Sequence, residues 1–194
     1  MSRFLRYAVH PDNPQPRLLM HAAAVIRAGG VAVLPTAAGY LLACRLDDKT
    51  ASTKLRRLAG QSPRDAAVLL CRDVAQAAVY VRIDDAAFRA IRRGEPGAAT
   101  LVLPCTKRVP HRLSSPRAMA VLYFGGHAAT QGLLAFIDEA LLLSPPADGA
   151  ATVEQLAPAW RDGIDLALDV GPLFHLGDAG RARPAHVQLT GARS

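Results

Sequence analysis

A pair of glycines between a helical repeat and an apolar run constrains this chain more than any other feature. Leu18, Leu19, Ala22, Val25 and Ile26 recur at helical spacing behind Pro14 and Pro16, and Gly29-Gly30 ends that helix. The buried run Val31–Leu34 follows at once, bounded by Pro35, and a turn leads directly into a second strand, Tyr40–Arg45. A strand joined to its neighbour by a short turn, next to a helix, requires antiparallel pairing in a sheet that helices cover.

The rest of the chain continues this alternation. Arg3–Val9 reads as a strand, Thr50–Leu58 as a helix, and Ala67–Leu70 as a buried strand followed by a helix that Asp73 caps. Asp84–Arg93 is amphipathic and closed by Gly94, and Thr100–Leu103 and Ala118–Phe124 are strands flanking a basic connection. His127–Glu139 reads as a helix and Leu141–Leu143 as a strand. Thr152–Trp160 reads as a helix with a Thr152/Gln155 capping box, and Leu166–Val170 and His186–Leu189 as closing strands. The expected fold is α/β, a mixed sheet flanked by helices, in one domain spanning residues 1–194.

The 194 residues are 51% apolar and 20% charged, a globular balance. No run approaches the ~20 apolar residues of a membrane helix, and no secretory signal pattern opens the chain. A cytoplasmic protein with no membrane partner is expected. Cys44, Cys71 and Cys105 are isolated, without CxxC pairs or histidines at ligand spacing. They read as reduced, core-packing thiols, and no metal site is expected.

Charge divides the chain. Residues 49–117 carry 14 Lys and Arg against 5 Asp and Glu, whereas residues 118–180 carry one Arg against 8 acids. A basic half attracts anionic partners, although a solvated arginine-rich surface gives the same count. The cations fall into three groups: Lys54, Arg56, Arg57 and Arg64; Arg89, Arg92 and Arg93; and Lys107, Arg108, Arg112 and Arg117. Arg89 and Arg93 equally suit a helix face paired with Asp85 and Glu95. Gly125-Gly126-His127 is either an anion nest or an ordinary turn before a helix. The acidic stretch from Asp138 to Asp178 offers a surface for a basic protein partner.

Several segments, in register, resemble the YrdC/YciO family of the threonylcarbamoyladenylate synthase superfamily, and its YciO branch above all. They are His10-Pro11-Asp12-Asn13-Pro14-Gln15-Pro16-Arg17, Gly29–Thr36 continued by Gly39-Tyr40, Leu70-Cys71-Arg72-Asp73, and Pro96-Gly97-Ala98-Ala99-Thr100. The match is strong over residues 10–116 and faint beyond. The resemblance implies a twisted open mixed sheet with a concave basic face that binds nucleotide and RNA. It also implies, for catalytic members, condensation of L-threonine, bicarbonate and ATP into threonylcarbamoyladenylate for tRNA modification.

At several positions this chain departs from the family pattern. An acid and a small polar residue after the Pro-Thr pair are replaced by Ala37 and Ala38, and the second cation after Arg57 is Ala59. Pro63 stands where the family has a lysine, with Arg64 beside it, and Leu122 stands where it has an arginine. A downstream nucleotide-binding turn keeps only Ser144. The remnant nucleotide and substrate positions are Thr36, Tyr40, Arg57, Arg64, Thr100 and Ser144. Each lost charge-assisted phosphate contact costs on the order of 1.5–3 kcal/mol, so synthase activity is not expected.

The expected partner is therefore structured, tRNA-like RNA, contacted by Lys54, Arg56, Arg57, Arg64, Arg92, Arg93, Lys107, Arg108 and Arg112. Few aromatics accompany these residues, which favours backbone and shape recognition over base stacking. No cofactor is required on this reading. ATP and Mg belong only to the alternative, a synthase that uses Arg57, Arg64, Thr100 and Ser144 in a rearranged pocket.

Overall fold

The structure, a computed structural model, describes residues 4–94, 99–173 and 185–188. Among these residues nine strands form one mixed sheet. In chain order they are β1 (Leu5–Ala8), β2 (Ala32–Thr36), β3 (Gly39–Arg45), β4 (Val68–Leu70), β5 (Ala99–Pro104), β6 (Met119–Tyr123), β7 (Leu141–Leu143), β8 (Leu166–Asp169) and β9 (Ala185–Gln188). Across the sheet they run β1-β8-β2-β3-β7-β4-β6-β5-β9. The pairs β1/β8, β2/β8, β4/β6 and β5/β9 are parallel, and β2/β3, β3/β7, β4/β7 and β5/β6 are antiparallel.

Strand alternation divides the interior into two cores. Tyr40, Leu42 and Cys44 of β3 face one core with Leu69, Leu122 and Leu142, and Leu41 and Ala43 face the other with Leu34, Leu70 and Leu141. The helices α1 (Pro16–Arg27) and α5 (Ala128–Leu134) cover the second face. The first lies beneath α2 (Lys49–Leu58), α3 (Val74–Tyr80), α4 (Asp85–Arg93) and α6 (Pro158–Gly163). Each fully buried leucine contributes roughly 1.5–3 kcal/mol, so the central strands dominate stability.

Local chemistry explains the helix ends. Gly30 N–H bonds Val25 O and Gly29 N–H bonds Ile26 O, a Schellman ending that needs the left-handed Gly29 (φ +90°). Asp48, Asp73 and Asp84 accept the N–H of Ala51, Gln76 and Ala87 at 2.8, 2.7 and 2.7 Å, capping α2, α3 and α4.

Three boundaries differ from the sequence reading. Pro35 lies inside β2 opposite Tyr40 and does not bound the strand. The Tyr40 N–H and C=O turn away, to Ala150, and β8 runs beside only Ala32 and Val33, so the missing proline N–H breaks no ladder bond. The helix expected over 127–139 ends at Leu134, where Phe136 N–H and Ile137 N–H bond Leu133 O and Leu134 O in a tightened turn. The helix expected over 152–160 is two pieces, a 3-10 turn at Val153–Gln155 and then α6. Pro158 forces Ala157 into an extended conformation (ψ 142°). Among the described residues no helix is long and apolar enough to cross a membrane.

Candidate nucleic-acid interface

The β2–β3 turn is closed from within. Thr36 Oγ1 donates to Gly39 O at 2.7 Å and accepts from Ala38 N–H at 3.1 Å, and Tyr123 Oη also accepts from Ala38 N–H, at 3.2 Å. Gly39 has φ +102°, and a Cβ there would lie 2.8 Å from Ala150 O, so backbone fills the space beside the turn. Tyr40 is fully buried. Its hydroxyl donates to Gly171 O at 2.6 Å and accepts from Val170 N–H at 2.9 Å, and burial pushes the phenol well above its usual range. Ser144 is fully buried too, its Oγ accepting from Leu42 N–H at 3.0 Å. These three hydroxyls tie strands and turns together. Tyr123, which patterned only as a strand residue, is part of that tie.

The remaining positions singled out for nucleotide do not line one cavity. Ala59 lines a cavity of about 620 Å3 with Leu58, Ala150, Leu156, Trp160 and Asp148, and among the described residues no Lys or Arg is in that wall. Desolvation raises the Asp148 carboxyl above its ordinary value. Arg57, two residues earlier, lines a different cavity. Leu122 is in the wall of a third, about 530 Å3, among Ile91, Leu101 and Phe124, with Arg72, Asp73 and His127. Arg64 is exposed in the 61–65 loop, and Thr100 is in β5 opposite His186.

The cations fare unequally. Contrary to expectation, Arg56 does not face solvent: it is 7% exposed, and it donates to Pro63 O (3.3 Å), Asp65 O (3.1 Å) and Leu113 O (3.3 Å). Burial pulls its guanidinium below the ordinary arginine value, with the Asp65 charge opposing. The helical spacing carried this signal, because Ala51, Ser52, Leu55 and Arg56 form the inner face of α2. Lys54 is paired with Asp165 at 3.1 Å. Arg112 is exposed and donates to Leu46 O at 3.0 Å.

Lys49, Arg56, Arg57 and Arg112 share one cavity of about 420 Å3 with Ser52 and Gln61, and among the described residues no carboxylate is in its wall. The first and third cation groups thus meet at Arg112. Lys49 and Gln61 were not singled out from the sequence, although Lys49, Ser52, Thr53, Arg56 and Arg57 follow one another at helical spacing. Arg108 is elsewhere, beside Arg27, Arg45, Asp47 and Glu139, and Lys107 next to it is exposed. Arg92 and Arg93 are exposed in the last turn of α4, where cations suit the helix dipole. Among the described residues Asp85 pairs with neither Arg89 nor Arg93, and Glu95 lies outside them.

Much of the acidic third is engaged within the chain. Glu154 and Asp169 pair with Arg6, Glu139 with Arg45, and Asp165 with Lys54. Gly125-Gly126-His127 forms an ordinary capping turn, with His127 Nδ1 accepting from Ala129 N–H at 3.2 Å. Burial holds the His127 imidazole below its usual value, opposed by Asp12. Cys44 and Cys71 are buried free thiols pushed up to about 12, and Cys105 is half-buried and raised. No cluster of potential metal ligands occurs among the described residues.

Comparison with known proteins gives these residues a context. The Sua5/YciO/YrdC protein-family model, described as telomere recombination, matches residues 24–175. The chain is 32% identical to Escherichia coli K12 uncharacterized protein YciO over 192 residues, covering 98% of this chain and 91% of that one. The E. coli YciO crystal structure superposes with a TM-score of 0.81 over 89% of this chain and 86% of its own. Halorhodospira halophila threonylcarbamoyl-AMP synthase is 30% identical over 133 residues, 68% of this chain and 70% of the relative. P. abyssi Sua5, crystallised with L-threonine, shares the fold at TM-score 0.78 and 20% identity, over 87% of this chain and 51% of its own.

Proposed function

This chain belongs to the Sua5/YciO/YrdC family, and from that premise we propose that it binds structured, tRNA-like RNA without carrying out adenylate synthesis. The observation that carries the proposal is the cavity at α2, where Lys49, Arg56, Arg57 and Arg112 converge with no carboxylate in the wall among the described residues. The Asp65 charge reaches Arg56, but four cations in one place leave a surplus that is complementary to phosphate, and binding there releases counterions from the nucleic acid. Exposed Arg64, Arg92, Arg93, Lys107 and Arg108 extend the contact along the RNA backbone, whereas Arg56 contributes field and rigidity from within. A cytoplasmic setting and no required cofactor are part of this reading.

Synthase chemistry, with ATP and Mg, is the second reading, favoured by the relatives named threonylcarbamoyl-AMP synthase. Against it, Ser144 and Thr36 spend their hydroxyls inside the fold, and Arg57, Ala59 and Leu122 line three separate cavities. A triphosphate needs its cations in one place.

Filter binding of a tRNA transcript across a salt series tests the RNA proposal. With about eight phosphates neutralised, one for each surface cation named, log K falls against log salt with a slope on the order of −6 to −7. Arg57→Ala with Arg112→Ala lowers affinity and flattens that slope by about two. No affinity at low salt, or affinity insensitive to salt, would refute it.

A further inference from the structure

The cavity of about 620 Å3 beside Ala59 has the opposite chemistry to the one at α2. Leu58, Leu156 and Trp160 stand in its wall, and Asp148 is the one ionisable group there among the described residues. Asp148 is exposed, so a ligand can reach it. Burial alone raises its carboxyl, and among the described residues neither a hydrogen bond nor a neighbouring charge adds to that shift. A carboxyl that stays accessible while surrounding protein desolvates it lies on a concave wall, not on a convex surface. Among the described residues it has no ion-pair partner, whereas Glu154 and Asp169 are held by Arg6.

The rest of the wall is preformed. Ala150 and Tyr40 exchange both backbone hydrogen bonds, at 2.8 and 3.3 Å, and Ala151 O accepts from Leu173 N–H at 2.9 Å. Trp160 Nε1 donates to Leu58 O at 2.9 Å. With its one N–H spent, Trp160 offers the cavity ring and no donor. A ring face attracts cations, an unpaired carboxylate attracts them further, and the leucines suit a hydrocarbon body. We propose that this cavity binds a small organic cation, with Asp148 taking an ammonium group and Trp160, Leu58 and Leu156 its apolar body. An anionic ligand would meet a like charge with no cation to offset it. The proposal is independent of RNA binding, whose cations line a different cavity.

Trp160 is the only tryptophan in the chain, so tryptophan emission reports on this cavity alone. The test titrates the protein with pentylammonium, 1-pentanol and pentanoate, read by that emission and by calorimetry. Pentylammonium binds saturably and about three- to tenfold more tightly than 1-pentanol, and pentanoate binds weakest. Asp148→Asn removes the preference for the ammonium and leaves the alcohol unchanged. Because the first comparison changes only the ligand, it stands even if the variant fails to fold. Equal affinity of the wild type for the ammonium and the alcohol overturns the choice of a cation. A preference that persists in Asp148→Asn overturns the role of Asp148. Neither heat nor an emission change with any of the three overturns the cavity as a ligand site.

Discussion

Replacing Arg56 by methionine separates a structural arginine from a binding one. The side chain is 7% exposed and holds three backbone carbonyls, on Pro63, Asp65 and Leu113, at 3.1–3.3 Å. Methionine keeps most of the volume and removes every donor. A hydrogen bond from a charged group is worth about 1.5–3 kcal/mol, and bonds as long as these fall at the weaker end. Some of the released carbonyls regain water, so the combined loss is about 3–4 kcal/mol. With a urea m-value of about 2 kcal/mol/M, the unfolding midpoint falls by roughly 1.5–2 M at unchanged slope. The control is Arg57→Met, one residue on, where the side chain is exposed and the change stays within about 0.5 kcal/mol. Equal midpoints for the two variants would refute the assignment of Arg56 to the scaffold.

Three further outcomes follow from the same contacts. Ser144→Ala strands the buried Leu42 N–H and costs about 1–3 kcal/mol in a denaturant titration, and an unchanged midpoint would show that the hydroxyl is dispensable to the fold. The His127 imidazole is held below its unfolded value, so its contribution to stability is complete at neutral pH and declines as pH falls below about 6.5. His127→Asn keeps a capping side chain and removes that decline in melting scans across pH, and a decline of the same size in the variant would point to another group. Cys44 and Cys71, pushed up to about 12, resist iodoacetamide in the native chain and react once urea unfolds it. Rapid native labelling of either would contradict their burial.

The sheet was legible because its punctuation is chemical. Gly29-Gly30, the Asp73 cap and the apolar runs place every strand within a residue or two of its position. The misjudged boundaries depended on tertiary context. Pro35 can sit inside β2 only because neighbouring ladders leave its N–H position unpaired, which no local pattern reveals. The 127–139 segment keeps a helical pattern past Leu134, yet the chain must turn to bury Ile137 and enter β7.

The candidate site was legible in composition and hardly in geometry. A count of cations cannot tell Arg56, which braces a loop, from Arg57, which faces outward, although their positions on α2 can. Gln61 and Asp148 carry no pattern of their own. They gain meaning only from the cavities they line.

Pyrophosphate release from ATP is the most direct trial of the proposal that this chain recognises an RNA backbone without triphosphate chemistry. Purified protein incubated with ATP, Mg, bicarbonate and L-threonine should release no more pyrophosphate than the same mixture without threonine, while it retains tRNA on a filter at low salt. Threonine-dependent release would mean that the cations at Arg57 and Arg64 still converge on the nucleotide, and would contradict the account.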